Sequence, residues 1–357
     1  MAKTVFVGMS GGVDSSVSAL LLKEQGYDVV GVYMKNWSRD LPGMKCPWAE
    51  DLADAKRVAV KLGIDFEVWD FEDAYREKVV EYMLREFRAG NTPNPDIMCN
   101  QEIKFKLFYE KAMQEGADFI ATGHYARVQW DLASDNWSAQ LARALDENKD
   151  QTYFLYRISE EALRQTIFPI GVMQKPEVKR LAKEKGLHNA YKKESMGVCF
   201  VGEVGMKDFL KEYIDVAPGE IREVESERVL GYHEGAVFYT IGQRHGLYLD
   251  GEKGVVNDGM PYYVVQKDIE KNIVYVSKNI NSELLWTHEL SLRDILLRTD
   301  TASHEHVLVR LRHRAPLIPA TFDGETLHFK DEVKRPAAGQ SAVIYDDEIC
   351  LGGGIIK

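Results

Sequence analysis

The segment Met9-Ser10-Gly11-Gly12-Val13-Asp14-Ser15-Ser16 carries the most specific chemistry in the chain. Its glycines let backbone N–H groups turn toward a common point, and three hydroxyls and a carboxylate stand beside them. An apolar, helix-forming run follows immediately. A helix N-terminus adds unpaired donors and the positive end of the helix dipole, so the string is a candidate cradle for phosphates. No lysine follows the glycines, which excludes a Walker A loop. Asp14 is a candidate Mg²⁺ ligand near those phosphates, because a hard dication takes oxygen ligands. Its competing role is a first-turn carboxylate that merely complements the helix dipole. A lone Gly-Gly would equally suit a serine-capped turn; the full Ser-Gly-Gly-x-Asp-Ser string is far more specific.

Two of the four cysteines have chemical context. Cys99 closes Gly90-Asn91-Thr92-Pro93-Asn94-Pro95-Asp96-Ile97-Met98-Cys99-Asn100, where two prolines impose a stiff, non-helical approach to a helix. A thiol at or near a helix N-terminus has a lowered pKa. Cys199 lies in Lys192-Lys193-Glu194-Ser195-Met196-Gly197-Val198-Cys199-Phe200-Val201-Gly202, and Lys192 and Lys193 would favour its thiolate if they approach it. The competing role of each is a small buried hydrophobe, and Cys46 and Cys350 keep that role.

The elements that position these groups follow from periodicity. Strands are predicted at Thr4–Gly8, Val29–Met34, Phe66–Asp70 and Asp118–Thr122. Helices are predicted at Val13–Gln25, Asp51–Leu62, Ala74–Arg88, Glu102–Gln114, Gln151–Arg157 and Pro176–Lys185. This alternation implies a doubly wound parallel sheet, with the phosphate loop at the carboxyl end of the first strand, where such sheets bind ligands. After Ala217-Pro218-Gly219 the texture changes to short alternating segments with turn residues between them, such as Tyr262–Gln266, Ile273–Ser277, Val307–Arg312, Thr326–Phe329 and Ser341–Tyr345. That is the pattern of small β-barrels. The expected domains are 1–215 (α/β, catalytic), 216–283 (small and β-rich) and 284–357 (β-barrel).

The 357 residues carry 45 basic and 56 acidic side chains, a net charge of −11. That balance argues against non-specific nucleic-acid binding, and any RNA footprint must be a local patch. Arg310, Arg312 and Arg314 fall on one face of a predicted strand and supply such a patch. Few cysteines, no cleavable leader pattern and no long apolar run make the cytoplasm the expected compartment, with no membrane partner.

The chain resembles the MnmA family of tRNA-specific 2-thiouridylases over essentially its whole length. The matching strings are Gly8–Ser15, Thr92–Asn100, Ala121–Arg127, Lys149–Leu155, Gly197–Gly202 and Tyr239–Leu247, in that order. Ser195-Met196, Val198 and Val201 are minor departures. The resemblance implies an α/β catalytic domain of the adenine nucleotide alpha hydrolase type, a β-rich central domain and a C-terminal β-barrel. It implies ATP-dependent 2-thiolation of the wobble uridine, with release of AMP and pyrophosphate. Cys199 is implied as persulfide carrier, loaded by a sulfur-donor protein, and Cys99 as its partner nucleophile. Gly8, Met9, Ser10, Gly11, Gly12, Val13, Asp14, Ser15, Met34 and Gly123 are implied to bind ATP with Mg²⁺. Asn94, Pro95 and Asp96 are implied to contact the target base. His124, Lys149, Asp150, Gln151, Arg312, His313 and Gln340 are implied to contact tRNA.

Two other readings share the phosphate loop. A ligase of the same ATP-pyrophosphatase superfamily acting on a small molecule needs neither the cysteine pair nor a basic β domain. A regulatory nucleotide-binding module leaves Cys99 and Cys199 without work. Pyrophosphate release measured with and without tRNA separates the three.

Overall fold

The computed structural model describes residues 2–40, 46–131, 138–193, 205–247, 249, 260–298 and 304–357; Cys199 lies outside them. In strand β1 (Thr4–Gly8), Val5 and Val7 enter one buried cluster and Phe6 enters another. Both faces of this strand are therefore covered, as a parallel sheet between helical layers requires. β1 lies at the centre of a five-stranded sheet with β2 (Asp28–Lys35), β3 (Asp65–Asp70), β4 (Phe119–Thr122) and β7 (Thr166–Ile167), in the order β3-β2-β1-β4-β7, all parallel. Helices Val13–Glu24 and Trp48–Leu62 pack on the Val5/Val7 side, and Phe105, Phe108 and Tyr109 pack on the Phe6 side.

One hairpin went unpredicted. β5 (Ala126–Asp131) and β6 (Ser138–Arg143) leave the parallel sheet and pair antiparallel with each other. β6 then pairs with β17 (Ile349–Ile356), the last strand of the C-terminal domain, through Ala142↔Ile349 and Leu141↔Cys350. The first and last domains thus share one sheet, and Val343, Tyr345 and Cys350 enter the same core cluster as Phe6.

The central unit is a four-stranded sheet, β10-β11-β8-β9, built from β8 (Gly219–Glu223), β9 (Val229–His233), β10 (Tyr263–Asp268) and β11 (Ile273–Ser277). The C-terminal unit orders β12 (Trp286–Leu297), β15 (Thr326–Lys334), β14 (Ile318–Phe322), β13 (His304–Arg310), β16 (Ser341–Asp346) and β17, and a further β12–β17 pairing closes it into a barrel. Closure removes exposed edges. Among the described residues, no helix is long and apolar enough to cross a membrane.

Candidate active site

The phosphate loop is held by its own hydroxyls. Ser10 N donates to Ser15 Oγ (3.2 Å), and Ser15 and Ser16 hydroxyls donate to Gly12 O (3.2 and 2.8 Å). Asn189 Nδ2 donates to Gly11 O and Ser16 Oγ, both at 2.9 Å. Gly11 has φ +75°, and a Cβ there would meet Asp51 O at 2.3 Å, so only glycine fits. A Cβ on Gly123 would meet Ser15 N at 2.6 Å, and one on Gly8 would meet Met34 Cε at 2.9 Å. The expected nucleotide residues of β1, β2 and β4 are thus brought together at the carboxyl edge of the sheet, where open α/β sheets take ligands.

Asp14 has a partner that the sequence reading missed. Lys175 Nζ lies 2.7 Å from both Asp14 oxygens, and the Tyr125 hydroxyl donates to Asp14 Oδ1 at 3.2 Å. The Lys175 side chain is 7% exposed and that of Asp14 28%. The available signal was a cation in the first turn of helix Lys175–Glu184, the end whose dipole disfavours it. With both Asp14 oxygens engaged by an ammonium, and no acidic, His or Cys group of three arranged for a metal among the described residues, the chain alone does not fit a Mg²⁺ cage.

Lys192 is bound beside the phosphate loop. Its ammonium binds Asp51 (2.7 Å) and Asp54 (2.6 Å), and Asp54 also meets His188 Nε2 at 3.0 Å. The Cys199 thiol that it was expected to favour lies outside the described residues.

Cys99 follows a short helix, Pro95–Met98, whose N-cap Asn94 accepts from Asp96 N and Ile97 N. It opens a π-helical run, Cys99–Leu107, a rare conformation that clusters at functional sites. Cys99 is buried in one cluster with Trp37, Met83, Phe209 and Leu210, and Cys46 packs against that cluster. Burial raises the Asp96 carboxyl pKa while Lys104 opposes the rise. The same Lys104 adds to the burial that holds His124 well below its usual pKa. His124 is packed against Phe105 and Phe168, with Nδ1 2.8 Å from Thr122 Oγ1, so it is a neutral ring set in the wall of the site. Lys104 had no distinguishing signal in sequence.

The expected tRNA-contacting residues divide. The His313 ring packs tilted at 45° against Phe154, 4.5 Å between centroids, and Phe154 O accepts from Asn100 Nδ2 at 3.2 Å, which ties this patch to the Cys99 loop. Burial, then Arg314 and Arg310, push the His313 pKa down to about 4. Arg312 is exposed beside it. Arg310 is not: β13 ends there, the residue is 5% exposed, and Nη1 lies 2.6 Å from Asp150 Oδ2. The three-arginine strand face is therefore corrected, because Arg312 and Arg314 lie in the turn after the strand and Arg314 has φ +63°. Asp150 is also corrected. Its carboxylate is buried and accepts from Arg310, Thr152 Oγ1 and Ala144 N, a fully used set with no face for RNA. Gln151 exchanges bonds with the Tyr125 backbone, and both it and Lys149 are half-buried. The Gln340 amide donates to Thr92 O at 2.6 Å.

Three family models match consecutive stretches: a tRNA methyl transferase HUP domain over residues 3–203, a tRNA methyl transferase PRC-barrel domain over 207–278 and an aminomethyltransferase β-barrel domain over 287–356. The chain is 47% identical to the tRNA-specific 2-thiouridylase MnmA of Idiomarina loihiensis, covering 100% of this chain and 96% of the relative. It is 46% identical to the Listeria monocytogenes protein and 45% to that of Bacillus subtilis, both of that name, each over 99% of this chain and 94% of the relative. The loop, the Cys99 segment and the three-part architecture agree with these matches, and the chain belongs to the MnmA family of tRNA-specific 2-thiouridylases.

Proposed function

We propose that this tRNA-uridine 2-thiolating enzyme divides its work between the phosphate loop and two cysteines. ATP occupies the cradle formed by Gly8–Ser15, Met34 and Gly123. The uracil O2 of the wobble uridine attacks the α-phosphorus, pyrophosphate leaves, and the C2–O bond becomes an adenylate ester. Asn94, Pro95 and Asp96 hold the base. Arg312, His313 and Lys149 hold the RNA around it, in keeping with recognition of unstacked, single-stranded bases.

Sulfur then reaches C2 from a persulfide on Cys199, delivered by a donor protein, and AMP departs with the former O2. Either the persulfide sulfur attacks C2 and Cys99 then attacks Cys199 Sγ to free the thiocarbonyl, or Cys99 attacks first and releases hydrosulfide. Both routes leave a Cys99–Cys199 disulfide, which an external thiol reopens by exchange. Such a cycle suits the reducing cytoplasm.

The observation that carries the assignment is where the chain is anchored on either side of Cys199. Lys192 is bound to Asp51 and Asp54 beside the phosphate loop, and Phe209 and Leu210 share a core cluster with Cys99. The described stretches that precede and follow the expected carrier in sequence thus lie beside the adenylation site and beside its partner thiol.

The test loads variants with labelled sulfur from a persulfide donor and follows label on protein and tRNA. Cys199→Ser should hold no transferable sulfur. Cys99→Ser should accept label and fail to pass it on, and both should still bind ATP and tRNA. Formation of 2-thiouridine by Cys199→Ser would overturn the carrier role, and swapped behaviour would exchange the two roles.

A further inference from the structure

The stretch Gly90-Asn91-Thr92 enters the loop that bears Asn94–Cys99, and both accessory domains grip it. From the central domain, Lys267 Nζ donates to Gly90 O at 2.8 Å and Thr240 Oγ1 lies 3.4 Å from Thr92 Oγ1. From the C-terminal domain, Ala338 O accepts from Thr92 N at 2.7 Å and the Gln340 amide donates to Thr92 O at 2.6 Å. Both backbone polar groups of Thr92 are thus bonded to the barrel. The approach is close enough to demand glycine on each side. A Cβ on Gly90 (φ +81°) would meet Ile269 Cγ1 at 2.6 Å, and one on Gly339 (φ +90°) would meet Asn91 Cβ at 2.9 Å.

Beyond the grip, Pro93 and Pro95 fix two φ angles, and Asn94 caps the helix that leads to Cys99. A stiff arm transmits a displacement at its base to its tip. The Lys267 side chain is half-buried, and its desolvation brings its pKa down to about 8.

We propose that Gly90–Thr92 is a clamp through which the central and C-terminal domains set the position of the base-binding segment and Cys99, with Lys267 and Gln340 as positioning residues. The proposal rests on the thiolation reading for its catalytic consequence. It gives Gln340 a role distinct from direct tRNA contact, because its amide donates to Thr92 O.

The test compares Lys267→Met, Lys267→Arg and Gln340→Ala in the full chain. Displacement of a reactive loop by about an ångström costs up to roughly 100-fold in rate, so Lys267→Met and Gln340→Ala should each lower kcat for 2-thiouridine formation by about 10- to 100-fold. The tRNA Kd and its salt dependence should stay as in the unsubstituted protein, and Lys267→Arg, which keeps a donor, should recover most of the rate. Iodoacetamide labelling of the Cys99 peptide, read by mass spectrometry without ATP or tRNA, should accelerate in the two impaired variants. That arm reports on the loop even if the thiolation reading fails, whereas absence of tRNA-dependent product from the unsubstituted protein would sink that reading alone. A loss of activity fully explained by weaker tRNA binding would overturn the clamp. So would unchanged kcat together with unchanged Cys99 labelling.

Discussion

Replacing Asp14 by alanine removes the carboxylate of the phosphate loop from beside a buried cation. Lys175 Nζ makes 2.7 Å contacts to both Asp14 oxygens, and its side chain is 7% exposed. Deleting one partner of a fully buried ion pair costs about 3–5 kcal/mol, because the survivor keeps its desolvation penalty. Asp14 is itself 28% exposed, which screens the pair and places the cost nearer about 2–3 kcal/mol. The reciprocal change, Lys175→Met, keeps volume and leaves a carboxylate that water and the Tyr125 hydroxyl still reach, so about 1 kcal/mol is expected. The double variant should recover part of the Asp14→Ala loss, since the ammonium that lost its paired carboxylate is gone too. Thermal melting reads this ordering, with the Asp14→Ala transition lowered by roughly 5–10 °C. Far-UV circular dichroism confirms the retained fold, and tRNA-dependent AMP formation, measured below the lowered transition, should be lost. A folded Asp14→Ala protein with near-normal AMP release would refute the loop assignment. If Lys175→Met proved the more damaging change, the buried charge would have been placed on the wrong partner.

Arg310→Ala should destabilise by about 3 kcal/mol in melting experiments, as the fully buried Asp150 carboxylate loses its 2.6 Å guanidinium contact and keeps Thr152, Ala144 N and the more distant Arg143 at 3.9 Å. Arg312→Ala should leave melting unchanged, weaken tRNA binding, spare ATP binding and lower the salt slope by about one; identical melting of the two variants would return both arginines to the surface. The His313 pKa near 4 lies below the ordinary value of 6.5, so the unfolded chain takes up this proton first as pH falls. Stability from His313 is therefore whole above pH 6.5 and is lost as pH drops toward 4; His313→Phe should flatten that part of the melting-versus-pH curve, and an unaltered curve would contradict the burial argument. Burial pushes the Cys350 thiol up to about 11, so iodoacetamide at pH 8 should modify it only after denaturation, and Cys350→Ser should remain active.

Local chemistry made much of this molecule legible in advance. Alternating apolar runs ended by Gly26 and Gly63, both at positive φ, delimited the first helices within a few residues. The Ser-Gly-Gly-x-Asp-Ser string sits at the carboxyl end of β1 because strand, turn and helix are contiguous in the chain. Partnership across long separations was not legible. Lys175 meets Asp14 across 161 positions, and Asp150 meets Arg310 across 160. No local pattern marks such pairs, because an ion pair depends on where the folded backbone delivers each side chain. The same limit explains the misplaced arginine face: alternation gives sides of a strand, but burial by Asp150 and the end of β13 at Arg310 decided which arginines meet solvent. It explains the β5–β6 hairpin as well, whose pairing with β17 joins segments some two hundred residues apart, and the grip on Thr92 by Thr240, Ala338 and Gln340. Residue type and spacing pointed to the groups proposed to do the chemistry, through short-range backbone preference. Tertiary packing decided which of them are exposed, which are already bonded and what holds them in place, since desolvation and long-range hydrogen bonding exist only once the chain has folded.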